Sequence, residues 1–255
     1  MQAAVQTTTS VVRNWRICFI LTSLFCAPIL KAEDPPTNLV RLVAARETET
    51  AKVQSNYMYR QSVSIDEISE RGQMTGRYRE LRDIIFSPTK ERIEQLIGQP
   101  SNTLDRLKLT EEDFRDLRDV QPFLLTDDQA FLYEKVYRGE EPVDGNDCFV
   151  IQLRPRQLLD GQRMFDGMIW VQKSDYSILR SEGQAVPQIV TTKNENLFPH
   201  FTTIRQKMDG GFWFPAVTFG DDTLHFRSGP QRIRLTIRYT DYRKFGSDSK
   251  ITFEK

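Results

Sequence analysis

The apolar pattern specifies a mainly β fold of the α+β class: one strongly curved antiparallel sheet, or open barrel, of ten or so strands. Three features carry that expectation. Period-two alternation recurs at short spacing along most of the chain, Gly- and Asp-containing turns separate the alternating runs, and only two helical patterns are well formed. The 255 residues are 39% hydrophobic and 27% charged, an ordinary globular balance with enough apolar material for a sizeable core. With no internal repeat or low-complexity linker, residues 33–255 read as a single domain.

The N-terminus carries a targeting pattern. Arg13 and Arg16 precede Ile17 to Leu30, which is uncharged and mainly apolar, and Lys31-Ala32-Glu33-Asp34-Pro35-Pro36 closes it. This is the charged, apolar, cleavable layout of a secretory signal over residues 1–32, and the run is short of the about 20 apolar residues a spanning helix needs. The bulky Phe25 before Cys26 argues against lipid attachment. Cleavage near Ala32 predicts a periplasmic protein that keeps only Cys148 of its three cysteines, hence no internal disulfide and no cysteine cluster for zinc. Beside Phe149 and Val150, Cys148 reads as a small buried hydrophobe. Losing Arg13, Arg16 and Lys31 leaves 32 basic against 35 acidic residues, which gives no global electrostatic case for nucleic acid.

Asn38 to Asn56 is the clearest helix, capped by Thr37 or Asn38, with Leu39, Leu42, Val43 and Val53 and three alanines on one stripe. From Tyr57 the period becomes two: Tyr57, Tyr59, Gln61, Val63 and Ile65 oppose Met58, Arg60, Ser62 and Ser64. Arg77 to Phe86 and Lys90 to Ile97 continue an antiparallel meander. Thr110 caps a second helix that ends before Pro122, with Phe114, Leu117 and Val120 on one side, and Phe123-Leu124-Leu125-Thr126 follows as an apolar loop. This segment either covers the sheet permanently or acts as a lid over one mouth, with Phe114, Leu117, Phe123 and Leu124 as the lid residues.

Further strands are expected at Phe131 to Arg138, Cys148 to Arg154, Phe201 to Met208, Phe212 to Phe219, Thr223 to Arg227 and Gln231 to Tyr242, with an irregular connection over Pro187 to Pro199. Met164 to Glu182 is a hairpin turning at Lys173-Ser174-Asp175. Its first arm sets Phe165, Gly167, Ile169 and Val171 against Met164, Met168 and Trp170, so both faces are covered, and its second arm runs toward a sheet margin.

The chemistry is sparse. His200 and His225 lack a Cys or carboxylate at ligand spacing, and Asp221-Asp222 reads as a solvated strand entrance. Asp127-Asp128 and Glu140-Glu141 read as turn residues. No G-x-S-x-G, H-E-x-x-H, P-loop or dinucleotide fingerprint occurs, so the expectation is a non-enzyme without cofactor or metal. The Arg232, Arg234 and Arg238 row is a wet strand face, with anionic head groups or an acidic partner as its alternative use.

The secretion signal, the N-terminal helix, the curved meander, Phe165-Asp166-Gly167-Met168-Ile169-Trp170-Val171, Gly211-Phe212-Trp213-Phe214-Pro215 and the late Tyr239-Thr240-Asp241-Tyr242 together resemble the outer-membrane lipoprotein-sorting superfamily. Its members include the LolA and LolB carriers and the N-terminal domain of the RseB (MucB) regulator. The resemblance implies an unclosed barrel of about eleven strands, covered by a few helices, around an apolar cavity for acyl chains. It supplies no catalytic residues.

Strand parity then assigns the lining to Tyr57, Tyr59, Phe149, Ile151, Ile169, Val171, Leu235 and Ile237. The expected function is a monomeric periplasmic carrier of a lipid or lipoprotein anchor, with membrane proteins that load or receive the cargo as further partners. The alternative is an envelope sensor, which an added domain would favour; the chain ends soon after Ile251-Thr252-Phe253, and the carrier is preferred.

Overall fold

The computed structural model describes residues 35–158, 161–191 and 195–245, and the expected secretory signal lies outside them. Helix α1 (Leu39–Gln54) leads into β1 (Tyr57–Ile68), β2 (Met74–Phe86), β3 (Arg92–Leu96) and the two-residue β4 (Ser101–Asn102). A short α2 (Glu111–Arg115) runs into a π turn (Asp116–Val120), and α3 (Asp127–Ala130) follows. The remaining strands are β5 (Tyr133–Glu140), β6 (Cys148–Pro155), β7 (Met164–Gln172), β8 (Ile178–Val186), β9 (Ile189–Val190), β10 (Glu195–Asn196), β11 (Phe201–Lys207), β12 (Trp213–Phe226) and β13 (Gly229–Lys244).

Eleven of these strands form one antiparallel sheet in the order β3-β2-β1-β13-β12-β11-β8-β7-β6-β5, with β4 against β2. The sheet is not closed: β3 and β5 are its two ends. It is nevertheless curled. Phe114 packs on Tyr78 of β2, and Phe123, nine residues on, packs on Tyr133 of β5. A helical stretch of that length reaches about 14 Å, whereas the strand steps from β2 to β5 would span about 38 Å in a flat sheet. The segment between the two phenylalanines therefore bridges the ends of a bent sheet.

Burial along β1 and β13 follows parity as expected: Tyr57, Tyr59, Gln61, Val63 and Ile65 are inside, as are Ile233, Leu235, Ile237 and Tyr239. β7 is covered on both faces. Phe165, Ile169 and Val171 join the main core, while Trp170 joins Val143, Cys148, Val150 and Leu179 in a second cluster outside it. Gly167 sits opposite Gly183 on β8, and a Cβ on Gly167 would lie 2.2 Å from the Glu182 carbonyl oxygen. Only glycine permits so close a strand approach, and the Phe165 ring lies over the gap.

Several expectations are corrected. β8 is no margin: it lies between β7 and β11, and both of its faces are covered, with Ile178 in the core and the adjacent Leu179 in the outer cluster. Residues expected as two strands, 212–219 and 223–227, form the continuous β12, whose Gly220 passes close under the His200 carbonyl. The second helix is not uniform. Its π turn points Asp116, Leu117 and Val120 all inward, the first 0% exposed.

The α1 stripe also differs. Leu42, Ala45 and Val53 lie off it, and the buried positions are Leu39, Val43, Ala44, Glu47, Thr50 and Gln54. Asn38 is the N-cap but makes no side-chain cap bond. Asp127 and Asp128 open α3, and the Pro187 to Pro199 connection contains the β9–β10 hairpin.

Candidate functional site

The eight parity-assigned residues lie in two sets on the sheet's core face. On β6 and β7, Phe149 pairs with Val171 and Ile151 with Ile169; on β13, Leu235 and Ile237 pair with Ile65 and Val63 of β1. These six and Tyr59 join one hydrophobic cluster, although β12, β11 and β8 separate the two sets. Tyr57 is buried edge-on against Phe214. Tyr59 stacks on Tyr242 at 5.0 Å, and its hydroxyl accepts from Arg92 at 3.1 Å. The space beside Leu235, Ile65, Leu107 and Phe198 is about 10 Å³, no more than one water requires.

What fills the centre is residues 110–125. Leu117, Val120, Phe123 and Leu125 are buried in the core, and Phe123 stacks on Phe165 at 4.6 Å. Phe114 and Leu124 are half-buried, the former under the Arg82 guanidinium. This plug owes its N-terminal turn to a capping box in which Thr110 and Asp113 satisfy each other's backbone amides.

Polar anchors hold the plug in place. Asp116, 0% exposed, is bound by the 5%-exposed Arg163, and Asn196 donates to Asp113 at 2.8 Å. Thr203 of β11 donates to the Gln121 carbonyl at 2.8 Å, and Arg205 of the same strand donates to the Phe123 carbonyl. Arg205 is itself paired with Glu47 of α1 at 2.8 Å, and Glu47 also accepts the Ile178 amide. Burial pushes the Glu47 carboxyl up, with Arg205 opposing, and burial likewise lifts Asp113 to about 6. Clefts flank the plug on both sides. One of about 410 Å³ is lined by Tyr59, Phe86, Arg92 and Leu124, and one of about 270 Å³ by Phe123, Tyr133, Arg163 and Phe165.

Elsewhere the chemistry is superficial. The His200 Nδ1 lies 3.2 Å from Asp222, a carboxylate distant in sequence, but the His200 side chain is 67% exposed. His225 stands exposed on β12. Two arginines of the β13 row, Arg232 and Arg234, share Asp221 and hold its carboxyl below the usual range, which reduces that row's free positive charge. Burial pushes the Cys148 thiol to about 11, as befits a packed rather than reactive group. Among the described residues no cluster of metal-ligating groups occurs, and no helix is long and apolar enough to cross a membrane.

Sequence reasoning overlooked Glu47, Arg205, Arg163, Asp116 and the Thr203–Gln121 contact. The signal existed for the first two. Glu47 falls one turn from Val43 on the helix stripe, and Arg205 shares the parity of Phe201 and Thr203.

No family model matches the chain, and no curated protein shows significant similarity to it. Solved structures do. A DUF1329 family protein from Desulfovibrio piger is 15% identical over 85% of this chain and 96% of its own, with a TM-score of 0.40. An outer membrane lipoprotein-sorting protein domain from Vibrio parahaemolyticus is 10% identical over 80% and 93%, with a TM-score of 0.37. A LolA superfamily protein from Nitrosomonas europaea is 14% identical over 78% and 92%, with a TM-score of 0.33. At such similarity the functional reading rests on the residues of this chain.

Proposed function

We propose that this chain is a non-enzymatic, periplasmic acyl-binding protein that shelters a lipid or lipoprotein anchor against the core face of its sheet. The observation that carries the proposal is the plug. One side of the core is closed by a separate short segment, held by polar anchors and bordered by a cleft on each side. Lifting residues 110–125 takes Leu117, Val120, Phe123 and Leu125 out of the core and leaves their partners, with Ile151, Ile169, Leu235 and Ile237, free for alkyl chains. Each buried CH₂ then contributes about 0.8 kcal/mol, so a two-chain anchor readily offsets the displaced contacts. The signal-like Arg13 to Ala32 stretch supports delivery to the envelope.

The test is titration with a fluorescent fatty acid, together with native mass spectrometry of the gently purified protein. Saturable uptake by the parent, with bound acyl species in its native mass spectrum, is expected. A parent that takes up neither fatty acid nor detergent overturns the proposal.

A second reading, a binding module that reports on envelope state, draws on the two sheet ends. Ile93 and Leu96 on β3 and Val136 on β5 are exposed there, as a strand-adding partner requires.

A further inference from the structure

A row of polar side chains crosses the apolar core face beneath the plug. Tyr239 of β13, Thr218 of β12 and Thr203 of β11 are 2%, 0% and 1% exposed. Thr218 and Thr203 are partners in register, with hydroxyl oxygens 2.7 Å apart, and the Tyr239 hydroxyl lies 3.4 Å from Thr218. Because Thr203 gives its proton to the Gln121 carbonyl, the chain has one consistent direction: Tyr239 donates to Thr218, Thr218 to Thr203, and Thr203 to the plug. Phe201 on β11 and Ile237 on β13 are the row's apolar neighbours, and Gln61 of β1, in register with Tyr239, and Arg205 of β11 are its polar ones.

Gln121 itself is anomalous. The residue is 0% exposed, yet neither its side-chain oxygen nor its side-chain nitrogen has a partner. A stranded amide weakens the closed arrangement and requires an explanation beyond packing.

We infer that Thr203 is the recognition point for the carbonyl of an ester- or amide-linked acyl chain, which replaces the Gln121 carbonyl when the plug lifts. This rests on the acyl-binding reading above and narrows it. When the plug leaves, the Thr203 hydroxyl still accepts from Thr218 on one lone pair, and its proton has lost the Gln121 carbonyl. A buried donor so placed discriminates against a ligand that cannot accept. An acyl ester or amide carbonyl accepts well, and its alkyl chain lies along the same core face. The closed plug imitates that ligand with its own backbone, and the departing Gln121 amide regains solvent.

The experiment compares 1,2-dioleoylglycerol with its 1,2-dioleyl ether analogue, which lacks the carbonyls, as competitors of the fluorescent fatty acid. The parent is expected to prefer the ester roughly five- to tenfold, the worth of about one net hydrogen bond. Thr203→Val should bring the ratio close to one while ether binding persists, and Thr203→Ser should keep the preference. If valine unfolds the protein, Thr203→Ala makes the same comparison. Equal binding of ester and ether by the parent, or a preference that survives loss of the hydroxyl, overturns the inference and leaves acyl binding intact. Binding of none of the three probes overturns both.

Discussion

Arg205 and Glu47 meet inside the protein, 2.8 Å apart, with side chains 2% and 0% exposed. The pair ties α1 to β11, and through the Phe123 carbonyl it ties both to the plug. Its charges are far from water, so neither partner tolerates loss of the other.

Removing one charge should therefore be severe and removing both mild. Arg205→Met or Glu47→Leu alone is expected to lower stability by about 3 to 5 kcal/mol, because each strands a buried charge. The double variant should recover most of that loss in urea unfolding. Additive losses in the double-mutant cycle would show that the two residues are not energetically coupled.

Acidification offers a separate probe of the plug. Asp113 is held at about 6 in the folded protein, above its ordinary 3.8, chiefly by burial. The folded state thus binds this proton more tightly than the unfolded state, so stability from Asp113 is fully present below about 3.8 and is lost as pH rises through 6. Relative to Asp113→Asn, the parent should gain about 2 kcal/mol between pH 7 and pH 4. Parallel stability-versus-pH curves for the two proteins would contradict this.

The Arg163–Asp116 pair should govern how readily the plug opens. Asp116 is wholly buried, and Arg163 also donates to the Pro187 carbonyl. Arg163→Gln is expected to speed amide hydrogen exchange in residues 110–125 at least tenfold, roughly the effect of 1.4 kcal/mol, while β1 and β13 exchange as before. Uniform acceleration across the sheet would mean that the plug does not open as a separate unit.

Where one face of a strand is wet, its placement was legible from residue order alone. Tyr57 to Ile65 and Ile233 to Tyr239 alternate strictly, and a one-residue slip would have exposed the whole apolar set. β8 was illegible because both of its faces are covered, Ile178 in the core and Leu179 in the outer cluster, which removes the pattern of a half-wet strand. Asp221-Asp222 read as a solvated entrance to a separate strand, yet β12 runs through them: Gly220 serves a close strand approach, and Asp221 faces Arg234 across the pair and also binds Arg232. At the site, buried apolar positions followed parity, but Glu47 and Arg205 did not announce themselves. A lone charge on an apolar stripe reads as solvated until its partner, far away in sequence, is known.

The two anchors from β11 grip main-chain oxygens, those of Gln121 and Phe123, and every amino acid offers that atom. The grip is therefore indifferent to spelling on the side that is held. Substitutions at 121 or 123 alter packing and the stranded amide but leave both acceptors in place. The information for this latch is written on the holding strand, as Thr203 and Arg205, which share its buried face on either side of the outward Ile204. Anyone searching other chains for the same device would look for a hydroxyl and a guanidinium two residues apart on a buried strand face, and would disregard the loop it holds.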